Sequence, residues 1–256
     1  MKHLGIPALC ACLCACGGGE AASEVTVSVR ADSLISTADT DLGYQVSVER
    51  FAVSLRDFRF VDYGATETAW LEGLSEMLIP SAHAHPGHVQ GGDTLGVMEG
   101  RFAVDFLGDA ELGKAQLLAA DYDALDVGLS VFQESDGVLN DAMPLGLTMI
   151  LSGTATRAGE SVPFEVRVQA PEDRELIGIP FEFEVAADES RTLVLRFSTR
   201  EPFRPDHHLF DGIDFATMAA PLILAANERE GADSFFVIQR RLLSHDYFEA
   251  ILEEQP

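Results

Sequence analysis

Over most of this chain apolar residues alternate with polar ones at a period of two, the signature of strands with one buried face. Glu24 to Arg30 sets the pattern, with Val25, Val27 and Val29 on one side. Tyr44 to Val48 and Phe51 to Leu55 read as two further runs, and Phe58 and Phe60 continue their apolar face. Strand signals return at Gly96 to Phe106, at 115–118 and at Ala124 to Phe132. Leu145 to Arg157, Ser161 to Gln169, Ile177 to Val185 and Thr192 to Phe197 complete the series. Ala158-Gly159-Glu160 and Asp188-Glu189-Ser190 sit where hairpin turns belong, and Asp136-Gly137 marks another turn.

After Phe203 the period changes. Phe215 to Asn227 reads as helical, interrupted by Pro221. Ser234 to Glu254 reads as a terminal helix with Phe235, Ile238, Leu242, Phe248, Ile251 and Leu252 as its apolar stripe. The expected fold class is therefore mainly β: an antiparallel β-sandwich with a C-terminal helical appendage. Residues 24–256 are expected to form a single domain.

The start of the chain departs from this pattern. Lys2 precedes an apolar stretch from Leu4 to Leu13, too short to span a bilayer and suited to a secretory signal. Leu13-Cys14-Ala15-Cys16 resembles a bacterial lipobox, and Gly17-Gly18-Gly19 follows as a tether. That resemblance implies removal of residues 1–15, lipidation of Cys16 and a tether over 16–23. Leu9-Cys10-Ala11-Cys12 offers an alternative cleavage point, and an ordinary secretory signal is the other reading. Gly17 after the lipidated cysteine implies the outer membrane rather than the inner one.

All four cysteines lie in this leader, so the exported domain has no disulfide and depends on core burial. No later stretch is long and apolar enough to cross a membrane, which leaves the N-terminal lipid as the only expected membrane contact. The formal charge is −25, and Lys114 is the only lysine beyond Lys2. Nucleic acid is excluded as an expected partner, because phosphate binding needs clustered Lys and Arg. An acidic surface attracts cations instead.

Two segments resemble uncharacterised bacterial lipoproteins. One is Phe102-Ala103-Val104-Asp105-Phe106-Leu107 with Leu112-Gly113 and Ala119-Ala120-Asp121-Tyr122-Asp123-Ala124-Leu125. The other is Leu209-Phe210-Asp211-Gly212-Ile213-Asp214-Phe215. The first is also similar to methanobactin-associated, copper-handling periplasmic proteins. The resemblance implies a prealbumin-like sandwich. This chain departs from the copper-handling family in having no cysteine beyond Cys16.

The sharpest chemical feature is the placing of histidine. His83-Ala84-His85-Pro86-Gly87-His88 holds three within six residues, and His207 and His208 are adjacent. Imidazole is a common ligand of zinc and copper. In an extended segment His83 and His85 share a face, Pro86-Gly87 can turn His88 back toward them, and Asp93 can add a carboxylate. Local closure keeps the entropic cost low. Without thiolates, a Zn(II) or Cu(II) site of imidazole and carboxylate is expected rather than Cu(I). The five histidines His83, His85, His88, His207 and His208 are the candidate ligands. The plain alternatives are a polar loop with idle histidines and, at Asp206-His207-His208, a capped helix start.

Catalytic motifs are absent: there is no G-x-S-x-G elbow around Ser152, no HExxH, no P-loop and no GxGxxG. Three histidines plus water is also a hydrolytic pattern, but no general base stands beside them. Trp70 reads as a core or rim residue. Two functions remain: metal capture or delivery on the cell envelope, or a structural sandwich that binds another envelope protein or a glycan.

Overall fold

The computed structural model describes residues 24–34, 39–63, 92–108, 110–134, 136, 145–186, 191–217, 222–225 and 232–254. The fold is mainly β, as the alternation predicted. Its spine is β2 (Gln45–Asp62), which takes up both runs read from the sequence as one 18-residue strand. The first five residues alternate exposed and buried, but Phe51 to Leu55 is buried without interruption. Both faces of a strand in that state are covered. Phe51, Val53 and Leu55 point into the main core, while Ala52 meets Ala103 and Phe132 in a second, smaller cluster on the other side.

β3 (Asp93–Asp105) pairs antiparallel along one edge of β2, from Ala52↔Asp105 to Asp62↔Asp93. Beyond it come β4 (Ala110–Leu118) and then β1 (Glu24–Leu34). On the other edge, β2 pairs with β5 (Asp121–Leu129) and with β6 (Met149–Arg157). β7 (Glu160–Val168) continues from β6, and β8 (Glu175–Glu184) from β5. β9 (Arg191–Ser198) runs parallel to β1. Asp57, at φ 41°, sits in a bulge of β2 seen from both neighbouring strands, and its Oδ1 accepts the Gly100 N–H at 3.1 Å. Bulges of this kind bend a strand.

The hairpin turn predicted at Ala158-Gly159 is present. Both residues have positive φ, 53° and 84°, as a two-residue type I′ connection between paired Arg157 and Glu160 requires. The Asp188-Glu189-Ser190 turn and Trp70 lie outside the described residues.

The two helices read near the C-terminus are corrected. Among its described residues, Phe215 to Asn227 holds a 3-10 turn, Phe215–Thr217, and a strand, β12 (Leu222–Ala225), parallel to β7. Pro221 has no N–H for a helix ladder, and the apolar Leu222-Ile223-Leu224 run completes a sheet edge instead. Ser234 to Glu254 is split. The helix α1 (Ala232–Leu242) ends, Ser244 caps a 3-10 turn over His245–Tyr247, and β13 (Phe248–Glu254) pairs antiparallel with β9. Phe248, Ala250 and Leu252 share one face of a strand at period two, whereas Phe248, Ile251 and Leu252 fit a helical stripe. Pairing Phe248 against Phe197 decides between the two. β13 comes back beside β8, with Cα atoms within 8 Å, so the sheet curls toward its own far edge. Among the described residues no helix is long and apolar enough to cross a membrane.

The two segments of the resemblance do structural work. Tyr122, in the first, donates its hydroxyl to the Leu118 carbonyl at 2.7 Å and pins the turn between β4 and β5. Burial pushes its phenol up to about 12. In the second, Leu209, Phe210, Ile213 and Phe215 are buried. Asp41 and Asp211 exchange backbone bonds: the Asp41 N–H donates to Asp211 at 2.9 Å and the Gly212 N–H to Asp41 at 2.8 Å. Tyr44 donates to Asp214 at 2.5 Å, and the Arg157 guanidinium stands over the Tyr44 ring at 4.2 Å.

The Tyr44 bond holds the Asp214 carboxyl below the usual carboxylate range. A depressed folded-state pKa gives stability that is present above the unfolded value and lost as pH falls through the folded one. Asp214 is 41% exposed and solvent screens the bond, so Tyr44→Phe is expected to cost a few tenths of a kcal/mol to about 1 kcal/mol near neutrality. Melting curves of both proteins should converge as pH falls below 3.8, the unperturbed value. A gap that stays constant down to acid would separate the cost from Asp214.

Candidate metal centre

The segment holding His83, His85 and His88 lies outside the described residues, but its two ends are described. It leaves β2 after Asp62 and Tyr63 and re-enters at Gly92 and Asp93. Asp62 and Asp93 are register partners, so β2 and β3 are paired up to the residues that flank the segment. Gly92 is needed there: a Cβ would stand 2.5 Å from Val61 Cγ1 and 2.7 Å from the Asp62 carbonyl.

That base is acidic. Asp62 and Asp93 face each other across two strands, and like charges directly opposite are destabilising. Asp123, at the start of β5, accepts the Tyr63 N–H at 3.0 Å. Burial raises its carboxyl above the ordinary value; the Tyr63 N–H opposes this, while the hydrogen bond that the protonated carboxyl donates to Asp62 and the nearby charges of Asp62 and Glu182 add to the rise. Asp121 and Glu184 form a second like-charged register pair on the same rim. Sequence reading caught Asp93 and missed the rest. Asp62, Asp123 and Glu182 are far apart in the chain, and nothing in their local pattern marks them.

His207 and His208 stand on a separate small sheet, β10 (Arg200–Glu201) with β11 (Arg204–His208). Alternation along β11 sends the two rings to opposite sides, as expected for neighbours in a strand. His207 is half exposed, with Nδ1 3.3 Å from Glu201 Oε2; Arg204 Nε reaches the other oxygen at 3.2 Å. The Glu201 side chain is only 6% exposed, so these two partners offset a costly desolvation.

His208 is buried against Phe210, with ring centroids 5.7 Å apart. Its Nδ1 accepts the Phe210 N–H at 3.3 Å, which puts the ring proton on Nε2, a buried atom. Burial holds its pKa below the ordinary imidazole value, with Asp211 pulling the other way. Of the pair, His207 is the one whose ring reaches solvent.

His245, isolated in the sequence, is also buried and lies in the 3-10 turn packed against β10. Beside it, burial pushes the Tyr247 phenol up to about 12, opposed by Arg241. The described histidines thus gather at one end of the molecule, although nothing in the spacing of His245 pointed there.

The residues that flank the loop segment, Asp62 and Asp93, and the pair on β11 belong to opposite ends of β2. His208 N–H donates to Asp211 Oδ2 at 2.7 Å, and Asp211 is tied to Asp41, just ahead of Gln45. The loop starts after Asp62. Among the described residues no three of His, Cys, Asp and Glu converge to hold a metal ion. No family model, curated protein or solved structure matches the chain.

Proposed function

We propose that this is a lipid-anchored protein of the bacterial cell envelope, attached through Cys16, that captures Zn(II) or Cu(II) in its histidine-rich loop. Residues 24–256 make one domain, read as a prealbumin-like sandwich, facing the periplasm or the cell surface from the outer membrane. His83, His85 and His88 supply three imidazoles, and Asp93 at the closed base supplies a carboxylate. The observation that carries this reading is the acidic rim under the loop. Opposed Asp62 and Asp93, with Asp123 beside them, draw cations toward the loop and are relieved when one binds. His207 and His208, at the other end of β2, are spectators in this reading.

The test is elemental analysis and metal titration on a tag-free chain beginning after Gly19. About one Zn or Cu per chain is expected. Binding should be lost when His83, His85 and His88 become Ala and be unchanged in His207→Ala. Asp93→Asn is expected to weaken it about 10- to 100-fold if the carboxylate ligates or orients a ligand. Unchanged affinity in the triple variant, or no metal at micromolar exposure, would overturn the proposal. The chain would then stand as a sandwich that binds an envelope protein or a glycan.

A further inference from the structure

β2 changes partner at Ser54. Up to Val53 its neighbour is β6, and from Leu55 it is β5. Ser54 bridges the change: its N–H donates to the Thr148 carbonyl at 2.9 Å, and its own carbonyl accepts the Ser130 N–H at 3.0 Å. The sheet forks there, with β6, β7 and β12 on one branch and β5 and β8 on the other. Residues 169–174 cross from β7 to β8. A cavity of about 400 Å³ opens at the fork, lined by Arg56, Arg101, Ser130, Thr148, Gln169 and Asp173 among others.

Arg56 and Arg101 are register partners on β2 and β3. Two like charges directly opposite are unfavourable, and this chain has only 17 Lys and Arg against 42 Asp and Glu. Both guanidiniums are fixed from behind. Arg56 Nε donates to the Leu129 carbonyl at 3.1 Å and Arg101 Nη2 to the Val131 carbonyl at 2.5 Å. Gly128 leaves the room for this: a Cβ there would stand 2.6 Å from Arg56 Cγ.

Their counter-ions differ. Arg101 is bound two-fold by Asp136, at 3.0 and 3.1 Å, and that carboxylate is 3% exposed. Arg56 Nη2 meets Asp173 Oδ1 at 3.1 Å, with Asp57 Oδ2 more distant at 3.9 Å from Nη1, but the Asp173 side chain is 86% exposed and its backbone sits at φ 60°. An exposed pair of this kind is weak.

We propose that the fork cavity binds a small carboxylate-bearing molecule, whose carboxylate takes Arg56 in place of Asp173. Asp173 is then the resident stand-in, and Arg101 with Asp136 is the fixed wall. The Ser130 hydroxyl and the Gln169 amide supply neutral polar contacts. The volume suits a small organic acid.

The test uses the full chain and succinate, read by the Nε–H resonances of its arginines in heteronuclear NMR. Asp173→Gly removes the competing carboxylate and suits the positive φ, so it keeps the fold. It is expected to bind succinate about 1.4- to fivefold more tightly than the parent, the scale of an exposed ion pair. Arg56→Gln is expected to abolish binding, and succinamide, with no charge, to move neither resonance. Equal affinity in Asp173→Gly would overturn the proposal. So would shifts with succinamide as large as those with succinate, or retained binding in a folded Arg56→Gln. Should Arg56→Gln fail to fold, the Asp173→Gly comparison decides alone.

Discussion

Phe51→Ala is expected to remove about 3–5 kcal/mol of stability, the range for deleting a buried aromatic ring. Phe51 is fully buried midway along β2. Its ring lies 4.1 Å from that of Phe197 on β9, 5.4 Å from Phe106 after β3, and 6.4 Å from Phe248 on β13. It joins the spine of the sheet to strands that reach it only by way of β3, β4 and β1. The cavity left by alanine cannot close easily, because each neighbouring ring is fixed on a strand held by its own hydrogen-bond ladder. At about 2–4 °C per kcal/mol for a domain of this size, the melting temperature should fall by roughly 6–20 °C. Phe51→Leu, which keeps most of the volume, should cost much less. A loss below about 1 kcal/mol for alanine would show that the four rings do not share one core.

Gly153→Ala is expected to cost at or above the top of the roughly 1–3 kcal/mol range for overpacking. Gly153 pairs with Val48 beside the bulge at Glu49. A Cβ at this position would stand 2.0 Å from the Ser47 carbonyl oxygen and 3.0 Å from Val48 Cα. Both atoms are backbone, so no side chain can rotate away. Strands in a sheet lie about 4.7–4.9 Å apart, and parting these two breaks the β2–β6 ladder. Gly108→Ala is the control. Its Cβ would meet only Asp105 Cβ, at an ordinary 3.9 Å, and its stability should match the parent in urea denaturation. Equal midpoints for Gly153→Ala and the parent would mean that β2 and β6 do not approach so closely.

Both variants probe a strand that the sequence rendered only in part. Tyr44 to Val48 alternates because one face there is open to solvent, and that part was legible. Phe51 to Leu55 is apolar on both faces, because Phe132 and Ala103 cover the side away from the main core. A one-residue alternation rule has no term for a second cover. The C-terminal error has a similar cause. Phe248-Glu249-Ala250-Ile251-Leu252 satisfies a helical stripe and a strand face alike, and only the open edge of β9 chooses the strand.

The candidate sites divide along the same line. The cluster at His83, His85 and His88 is visible in the sequence because its members are adjacent, and ligand chemistry needs only residue type and reach. The acidic base beneath it is not visible, because Asp62, Asp93 and Asp123 meet only after β2, β3 and β5 have paired. The opposed Arg56 and Arg101 at the fork were equally hidden.

By itself the sequence determined the mainly β class, most strand positions, the Ala158-Gly159 turn and the residue types available for chemistry. These follow from local rules: side-chain alternation at period two, and the φ that a turn residue tolerates. Tertiary structure decided which strands became neighbours, where β2 exchanged β6 for β5, and that Leu222–Ala225 and Phe248–Glu254 became strands. Those outcomes depend on distant partners, as far apart as Val27 and Arg191 in the β1–β9 ladder, whose backbone N–H and C=O groups must all be satisfied at once.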